Sequence, residues 1–512
     1  MKNFFTTLCL VSSGLAFSQS AQLTPIVDIG TKTATVTVPA KFENDFPAGK
    51  TLKVPTHYNV SVFYAGSLTK PRFMTFSPTG VLHVADQGAG KVFALPDANK
   101  DGIADTLIEV ASGFTGSHDA KFYKGALYVT EATKIWKCTD TNGDGVYETK
   151  TVFIGNLGNN TTGGHSTRTI VFDSVKKKVY VSIGSSCNVC RETAPRAIIE
   201  QYNDDGSGRR VFATGVRNAV GMALHPNNNR LWANNNGSDQ QGNEIPPEWI
   251  DIVRDNGFYG HPFAYGDGVW FDFNAHPDYQ KLLPITPVDS ANVERMIKPA
   301  ALVRAHSAPM ALEFLPTGTI ENKSTGLKDG FLTALRGSWN STNPKAYRGY
   351  KVIYGHLASD ADTTVEYVGD FASGFLTDTV NQVFWGRPVG IAIDKDGKVF
   401  ISSDEGNKFV LVLTPDDITN INNEDLVLTS SIIYPNPARD QFNLALNLLQ
   451  SAKVTAELYD IAGKKVATLL DETLPGGNNT QQLNVSGLTP GYYLLKVTAG
   501  NNMYNHKLIL QE

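Results

Sequence analysis

One pattern recurs six times in this chain of 512 residues. Each copy is a strand of alternating apolar and polar residues, a turn of Gly, Asn, Asp or Lys, and a second β-rich strand, which predicts half-buried antiparallel sheet. The copies begin at Pro71, His118, Thr167, Asn218, Ala308 and Arg387. The first four are spaced about fifty residues apart and the last two lie further apart, so insertions are predicted there.

Repeats of roughly 40 to 50 residues, each long enough for one four-stranded sheet, are typical of β-propellers. The sequence therefore predicts an all-β chain with a six-bladed β-propeller over residues 57–414. Residues 57–66 are predicted to supply the strand that closes the ring with the last blade. Two stacked sandwiches would give no reason for the repeating length.

The flanking segments differ from the repeats. Residues 1–18 have Lys2, an apolar run and small residues at a cleavage position, which predicts a secretory signal peptide. Residues 19–56 read as an extended lead-in and residues 415–430 as a polar linker. Residues 431–512 have short strands between Gly, Asn and Pro turns, which predicts a small C-terminal β-sandwich.

Charge and hydropathy argue against two classes of partner, nucleic acid and the membrane interior. The chain has 45 Lys and Arg against 50 Asp and Glu, so no basic field favours nucleic acid. After the signal, no apolar run reaches the roughly 18 residues that a membrane span needs. We expect an exported protein, secreted or attached to the cell surface.

Export leaves three cysteines in the mature chain. An oxidising compartment favours a local bridge between Cys187 and Cys190, with Cys138 free. A redox pair would need a strand-to-helix context, and a zinc site would need a second pair of ligands.

The repeats place a cation or an imidazole at one register. The first strand of each propeller blade lines the central channel, so the residue that precedes it lies at the channel mouth. The residues at this register are Arg72, His118, His165 with Arg168, Arg217, His306 and Arg387. Arg336 ends a second strand and is predicted to return to the same mouth. Such a ring favours a compact polyanion, bound through charge-assisted hydrogen bonds.

Residues 163–240 contain two of these copies in succession. A strand pair joined by a tight turn returns the chain to the end where it started. We therefore expect His165, Ser185, Arg217 and Gly237 to share one rim of the propeller.

Two loops have the acidic spacing D-x-N-x-D-G, which suits a hard cation with oxygen ligands. Their polar residues are Asp97, Asn99, Asp101 and Asp105 in the first loop, and Asp140, Asn142, Asp144 and Glu148 in the second. Both loops lack the distal Glu of an EF-hand and fall in hairpins that favour Asp, Asn and Gly anyway. A structural calcium site and a plain turn stay equal alternatives.

The C-terminal segment resembles the sorting domain of the type IX secretion system of Bacteroidetes. The matching pieces are YPNPA at Tyr434, LYD at Leu458, GLTPGYY at Gly487 and KLIL at Lys507. The resemblance implies that residues 431–512 engage the type IX secretion machinery during translocation across the outer membrane. Such a domain is then removed or attached to the surface.

The propeller resembles the soluble glucose and sorbosone dehydrogenase family, over roughly residues 57–413. The motifs are SSCNVC at Ser185, GVRNAVG at Gly215, NGFYGHP at Asn256, RAHSAP at Arg304, RGSWN at Arg336 and WGRPVG at Trp385. The resemblance is closer to the sorbosone branch. It implies a six-bladed quinoprotein that uses pyrroloquinoline quinone (PQQ) and Ca²⁺.

The resemblance also implies roles for single residues. His165 matches the general base, Arg217 the arginine beside the quinone oxygen, and Asn218 a neighbouring PQQ contact. The backbone carbonyls of Gly237 and Ser238 match the calcium ligands. Arg336 and Arg387 match residues that bind PQQ carboxylates, and Arg168 and His306 are further expected cofactor contacts.

Four positions depart from the glucose enzymes of that family. The glucose enzymes have Asp where this chain has Gly164, Gln where it has Val220, Thr where it has His306, and a second carboxylate-binding Arg where it has Val389. These departures leave the identity of the sugar open.

These features predict a secreted PQQ- and calcium-dependent dehydrogenase that oxidises a sugar or a sugar aldehyde. Hydride would pass to PQQ, with His165 as general base, and electrons would pass to an external acceptor. The alternatives are a calcium-dependent propeller lactonase and a non-catalytic surface propeller that binds glycans or partner proteins.

Overall fold

A computed structural model describes residues 21–158, 164–192, 195–316, 327, 330–342, 345–359, 363–416, 427–460, 464–500 and 502–511. The side chains of residues 429 and 502 are not described. The predicted signal peptide and most of the predicted linker lie outside these ranges. The described part is built almost entirely of antiparallel strands.

The lead-in forms strands that join sheets far along the chain. It contains β1 (Thr31–Thr35), a 3₁₀ turn (Ala40–Phe42), β2 (Thr51–Pro55) and β3 (Tyr58–Ala65). Strand β3 pairs antiparallel with the last propeller strand, so the predicted closure of the ring is confirmed. Strands β1 and β2 were not predicted as strands; they extend the outer edge of the fifth blade.

The first three blades follow the repeats in chain order. Blade 1 contains β4 (Pro71–Phe76), β5 (Leu82–Asp86), β6 (Lys91–Leu95) and β7 (Ile108–Ser112). Blade 2 contains β8 (Ala120–Tyr123), β9 (Ala126–Thr130), β10 (Ile135–Thr139) and β11 (Thr149–Ile154). Blade 3 contains β12 (Ile170–Asp173), β13 (Lys178–Ile183), β14 (Ile198–Asn203) and β15 (Arg210–Thr214).

Blade 4 carries an insertion before its last strand. Its sheet contains β16 (Met222–Leu224), β17 (Leu231–Asn235), β18 (Glu248–Ile252) and β22 (Ala301–Val303). The insertion contains β19 (Gly257–Phe258), β20 (Ala264–Tyr265), β21 (Val269–Trp270), α1 (Pro277–Gln280) and α2 (Pro287–Glu294). Strand β19 adds in parallel to the edge of blade 3.

The last two blades complete the ring. Blade 5 contains β23 (Pro309–Phe314), β24 (Gly330–Leu335), β25 (Lys351–His356) and β26 (Tyr367–Ser373). A hairpin of β27 (Leu376–Asp378) and β28 (Val383–Phe384) follows. Blade 6 contains β29 (Gly386–Ile393), β30 (Val399–Gly406) and β31 (Phe409–Pro415), with β3 as its fourth strand. The prediction of six blades is confirmed.

Apolar side chains pack between neighbouring blades. Val92 of blade 1 and Leu127 of blade 2 belong to one buried cluster, and Trp232 of blade 4 and Phe331 of blade 5 belong to another. Strands buried on both faces stabilise the ring, since each such side chain removes apolar surface from water. The strand ends, where hydrogen bonding of the sheet stops, are left to carry polar residues at the mouth.

The C-terminal domain is a sandwich of two antiparallel sheets. Its strands are β32 (Leu428–Tyr434), β33 (Gln441–Leu448), β34 (Ala452–Tyr459), β35 (Lys465–Leu474), β36 (Gly477–Asn484), β37 (Gly491–Ala499) and β38 (Asn502–Leu510). One sheet has the order β32-β33-β36 and the other β35-β34-β37-β38. Alternate residues such as Leu444, Leu446 and Val454 fill the core between them. This confirms the predicted β-sandwich.

None of the described helices has the length and apolar character needed to cross a bilayer.

Candidate functional site

His165 lies just before the first strand of blade 3 and is held by Ser185, which follows the second strand. The backbone amide of His165 donates to the carbonyl of Ser185 (2.9 Å). Its ring Nδ1 lies 3.1 Å from the same carbonyl and 3.0 Å from the Ser185 hydroxyl. Since a carbonyl only accepts, Nδ1 carries the proton of the neutral ring and Nε2 carries the lone pair.

The imidazole of His165 is neutral in this environment. Burial lowers its pKa to about 3, and the positive charge of Arg217 adds to this effect. Among the described residues, Nε2 has no hydrogen-bond partner, so its lone pair is available to a ligand. The arrangement therefore presents a proton acceptor.

Gly164 explains why no carboxylate precedes His165. Its φ is +87°, and a Cβ there would lie 2.5 Å from the Cα of Ser186 and 2.6 Å from the carbonyl oxygen of Ser185. A side chain at position 164 would push away the residue that orients the imidazole. Ser185 orients His165 in place of a carboxylate.

Arg168 holds the backbone of the loop that carries His165. Its side chain is completely buried, and NH1 donates to the carbonyls of His165 (3.0 Å) and Thr167 (2.7 Å). Its Nε and NH2 donate to the carbonyl of Leu157. Arg196 donates to the His165 carbonyl as well (3.1 Å). The structure thus places Arg168 on backbone carbonyls, where it fixes the loop that carries His165.

Arg217 is fixed by the loop that contains the cysteines. Its Nε donates to the carbonyl of Asn188 (2.9 Å) and its NH2 to the side-chain oxygen of Asn188 (3.0 Å). Its NH1 donates to the carbonyl of Gly237 (2.5 Å), and the Ser185 amide donates to the Arg217 carbonyl (2.7 Å). These contacts confirm that His165, Ser185, Arg217 and Gly237 share one rim.

The predicted bridge between Cys187 and Cys190 is present, and Cys138 is free and buried. The bridge closes a short loop around Asn188, the partner of Arg217. Arg191 anchors this loop to the insertion of blade 4, because its guanidinium pairs with Asp289 (2.8 Å). The insertion thereby supports the position of Arg217 through the disulfide loop.

Asn218 and Gly184 lie between His165 and Arg217. The side-chain oxygen of Asn218 is buried and has no hydrogen-bond partner among the described residues. A Cβ at position 184 would lie 2.5 Å from that oxygen and 2.6 Å from the Cβ of His165. Only glycine at 184 permits this close approach. The buried Nε2 of His261 likewise lacks a partner among the described residues.

His306 and Asp239 extend the site toward blade 5. Nδ1 of His306 lies 3.3 Å from a carboxylate oxygen of Asp239, and Nε2 lies 2.9 Å from the carbonyl of Gly242. Burial lowers the pKa of His306, but the bonds to Asp239 and Gly242 and the nearby Glu248 outweigh burial, so the pKa is raised. Burial raises the pKa of Glu248 to about 7. His306 is thus held by protein groups on both ring nitrogens.

The predicted calcium ligands lie beside Arg217. The Gly237 amide donates to Glu248, and its carbonyl accepts from Arg217. The Ser238 hydroxyl accepts a hydrogen bond from Tyr279 (2.8 Å). Asp239 lies 3.9 Å from the guanidinium of Arg217. This corner of the mouth is therefore rich in oxygen acceptors.

A second half of the site joins blades 1, 5 and 6. Arg72 donates from Nε to Nδ1 of His118 (3.2 Å) and pairs with Asp404. Arg336 donates to Asp404 (2.8 Å) and Glu405 (2.6 Å). Arg387 donates to Glu405 (2.8 Å) and packs over the ring of Tyr350. The predicted mouth cations of these blades are therefore brought together, each paired with a carboxylate.

The segment from Arg336 to Asn340 connects the two halves. Arg387 donates to the carbonyls of Arg336 (3.0 Å) and Gly337, which ties the segment to blade 6. At its other end, the Asn340 amide donates to Asp239 (3.3 Å). The half around His165 and Arg217 and the half around Arg72, Arg336 and Arg387 thus share one strand-to-loop connection.

The two acidic loops use their carboxylates on their own backbone. Asp97 accepts from the amides of Asp101 and Gly102, and Asp140 accepts from Gly143 and Gly145. Across the described ranges, the one group of three His, Cys, Asp or Glu side chains with converging ligand atoms is Cys187, Cys190 and Glu192. The hydrogen bonds inside the two acidic loops are those of a turn.

Sequence reasoning missed several residues that hold the site. They are Asn188, Glu248 and Glu405. Asn188 lies within the SSCNVC motif but was not singled out, and Glu248 and Glu405 belong to no repeated register. A pattern of neighbouring positions carried no signal for them, because their partners lie 11 to 69 residues away.

A family profile described as TrAA12-like matches residues 52–257 and 278–415, which is more than half of the chain. The chain belongs to the TrAA12-like family. A second profile, the secretion system C-terminal sorting domain, matches residues 432–511. The predicted resemblances of both regions are thereby confirmed.

This TrAA12-like chain has a curated relative in Hypocrea jecorina (strain QM6a), a pyrroloquinoline quinone-dependent sugar dehydrogenase. The two are 25% identical over 406 residues, which cover 68% of this chain and 87% of the relative.

Two solved structures share the propeller fold of the TrAA12-like chain. The calcium structure of a Trichoderma reesei carbohydrate-active enzyme of family AA12 has a TM-score of 0.58 at 20% identity, covering 71% of this chain and 96% of that one. The holo form of the pyranose dehydrogenase PQQ domain from Coprinopsis cinerea has a TM-score of 0.57 at 21% identity, covering 74% and 100%.

Proposed function

We propose that the protein is an exported PQQ- and calcium-dependent dehydrogenase that oxidises a sugar or a sugar aldehyde and passes electrons to an external acceptor. The observation that carries this proposal is the position of His165, a neutral imidazole with an available Nε2, beside Arg217 in a cationic mouth. Membership of the TrAA12-like family and a PQQ-dependent relative support the assignment to sugar oxidoreductases.

The residues of the mouth fit PQQ, a planar quinone with three carboxylates. Arg336 and Arg387 supply guanidinium groups that suit carboxylates. The buried side-chain oxygen of Asn218 has no partner among the described residues, so it can still accept a hydrogen bond from a ligand. Gly184 has no side chain, which leaves room for this oxygen beside His165. We assign Arg336, Arg387 and Asn218 to cofactor binding and Arg168 to the positioning of His165. His306 is assigned to the wall of the site through Asp239.

PQQ, when bound, supplies the acceptor for the hydride of the substrate carbon. His165 takes the proton of the substrate hydroxyl on Nε2, because Nδ1 is held as a donor by Ser185. Arg168 and Arg196 hold the backbone of His165, so the ring stays in place as it gains the proton. Burial, together with the nearby positive charge of Arg217, lowers the pKa of His165 and keeps the imidazole neutral before reaction.

Arg217 supplies a fixed positive charge next to the base. Its guanidinium is restrained by Asn188 and Gly237, so little side-chain entropy is lost when negative charge develops nearby. Arg217 is therefore assigned to charge stabilisation in the reaction.

Calcium is proposed at the carbonyls of Gly237 and Ser238. A carbonyl oxygen has two lone pairs, so Gly237 can accept from Arg217 and still bind a cation. The oxygen-rich surroundings, with Asp239 near by, suit this hard ion. Its role would be that of a Lewis acid.

The C-terminal sorting domain directs the protein to the type IX secretion machinery and so to the cell surface or the extracellular space. We propose that residues 431–512 are removed or attached to the surface after translocation, and that residues 1–18 are cleaved as a signal peptide.

The experiment is reconstitution of the purified full chain with PQQ and Ca²⁺, followed by dye reduction assays across aldoses and sugar aldehydes. The proposal expects turnover with at least one sugar and a loss of about 10²- to 10⁴-fold in kcat for His165→Asn. The matched control is His276→Asn, a half-buried histidine outside the mouth. Full activity in the His165 variant would contradict the assignment of the base.

A further inference from the structure

The cationic half of the mouth carries more positive than negative charge. Its charged side chains are Lys70, Arg72, Arg336 and Arg387 against Asp404 and Glu405. They come from three blades that are distant in sequence. Like charges held together in a partly buried place raise the free energy of the site unless an anion offsets them.

The three arginines already have partners in the protein. Arg72 bonds to His118 and Asp404, Arg336 bonds to both carboxylates, and Arg387 bonds to Glu405 and two carbonyls. Both carboxylates are thereby shared among guanidinium groups, with little capacity left for a further cation.

Lys70 differs from these arginines. It precedes the first strand of blade 1, and its backbone amide is fixed by the Asp86 carboxylate (2.8 Å). Its side chain is half-buried, and its ammonium makes no hydrogen bond or ion pair with any residue that the structure describes. Burial lowers the pKa of Lys70, and the charge of Arg72 lowers it further.

A half-buried ammonium without a protein partner loses part of its hydration, and an anionic ligand would offset that loss. The positions of Arg72 and Arg336 beside it exclude another cation and favour an anion. Lys70 lies two residues before Arg72, at the entry to the first strand of blade 1.

We propose that Lys70 is a carboxylate-binding residue of the mouth, whose ammonium pairs with a carboxylate group of the bound ligand. This inference rests on the proposed function. The carboxylate belongs either to PQQ or to a sugar acid such as a uronic acid, and both sources present the same chemistry to the ammonium.

The test compares Lys70→Met and Lys70→Arg with Lys100→Met. Lys100 is an exposed lysine of the same blade, in the loop between β6 and β7 rather than before the first strand, so its loss removes the same charge from outside the mouth. The dissociation constant of PQQ is measured by absorbance. The KM values of a neutral aldose and of its uronic acid are measured at saturating PQQ.

If PQQ supplies the carboxylate, Lys70→Met weakens PQQ binding about 10- to 100-fold, in the range of a hydrogen bond to a charged group. If a sugar acid supplies it, the KM of the uronic acid rises by a similar factor, while the KM of the neutral aldose and PQQ binding stay unchanged. In either case Lys70→Arg retains most of the affinity and Lys100→Met behaves as wild type. Unchanged PQQ binding and unchanged uronic acid KM in Lys70→Met would overturn the proposal.

A second titration distinguishes failure of the Lys70 carboxylate site from failure of the proposed function. If wild-type protein binds no PQQ, pyridine-2,6-dicarboxylate serves as the probe in a thermal-shift titration. A shift in wild type that is lost in Lys70→Met still supports the carboxylate site. An equal shift in both proteins, or none in wild type, overturns it.

Discussion

The ring Nδ1 of His165 lies 3.0 Å from the hydroxyl oxygen of Ser185 and 3.1 Å from its carbonyl oxygen. One residue therefore fixes both the orientation and the tautomer of the proposed base. It does so without a carboxylate, so the basicity of His165 is set by burial and by the cations around it.

We expect Ser185→Ala to lower kcat about 3- to 10-fold, because one of the two contacts to Nδ1 is lost and a neutral hydrogen bond contributes roughly 1 kcal/mol. The carbonyl contact remains, so the tautomer is kept. Steady-state kinetics with Ser186→Ala as control measure this, since the Ser186 hydroxyl bonds to Glu192 and not to His165. A loss as large as that of His165→Asn would show that Ser185 has a further role.

The pH dependence of the reaction reports the environment of His165. The base must be unprotonated, and its pKa is lowered to about 3, so the neutral form is present throughout the range above that value. We expect kcat/KM to show no acid limb near the ordinary histidine pKa of about 6.5. The measurement is the stopped-flow rate at which the sugar reduces the PQQ-loaded protein, taken between roughly pH 4.5 and 8. A limb near 6.5 that disappears in the His165 variant would contradict this account.

The disulfide loop is expected to govern cofactor affinity through Asn188. A double substitution, Cys187→Ser with Cys190→Ser, removes a cross-link over a very short loop, which lowers the free energy of unfolding by about 2 kcal/mol. It also frees the loop that holds Arg217. We expect a lower melting temperature and weaker PQQ binding.

Asn188→Ala separates these two effects. It removes the side-chain bond to Arg217 but leaves the bridge, so PQQ binding weakens while the melting temperature changes less than in the double variant. Equal PQQ affinity in wild type and Asn188→Ala would show that the loop does not position Arg217.

Removal of calcium tests whether the ion needed for activity binds at the mouth or in the acidic loops. A chelator is expected to abolish sugar-dependent dye reduction, and added Ca²⁺ to restore it, if the ion sits at Gly237 and Ser238. Asp97→Ala and Asp140→Ala are the matched controls and should leave activity unchanged, because these carboxylates accept hydrogen bonds from the amides of their own loops. Activity that persists in chelator would contradict the calcium part of the proposal.

The ring of blades was predictable because each blade is a local repeat with period-two strands. The closing strand was predictable as well, since residues 57–66 are strongly β-forming. Strands β1 and β2 were not, because a sheet edge accepts many polar sequences. In addition β26, the partner that joins β2 to blade 5, lies more than three hundred residues away.

The site was predictable where the repeat register and the motifs coincide, as for His165, Ser185 and Arg217. The partners that fix these residues were not. Arg72 and Asp404 are 332 residues apart, and nothing local in the sequence joins them. Arg168 illustrates the same limit: its charge is visible in the sequence, but its complete burial against carbonyls follows from packing between blades 2 and 3.

We propose that the blades form a cationic mouth that holds an anionic quinone beside His165. The most direct measurement is the difference absorption spectrum of the purified full chain on titration with PQQ, before and after addition of a sugar. We predict a saturable spectral change at one equivalent that is weakened in a double variant of Arg336→Ala and Arg387→Ala, followed by reduction of the bound quinone on adding sugar. A wild-type spectrum equal to the sum of free protein and free PQQ would contradict the claim.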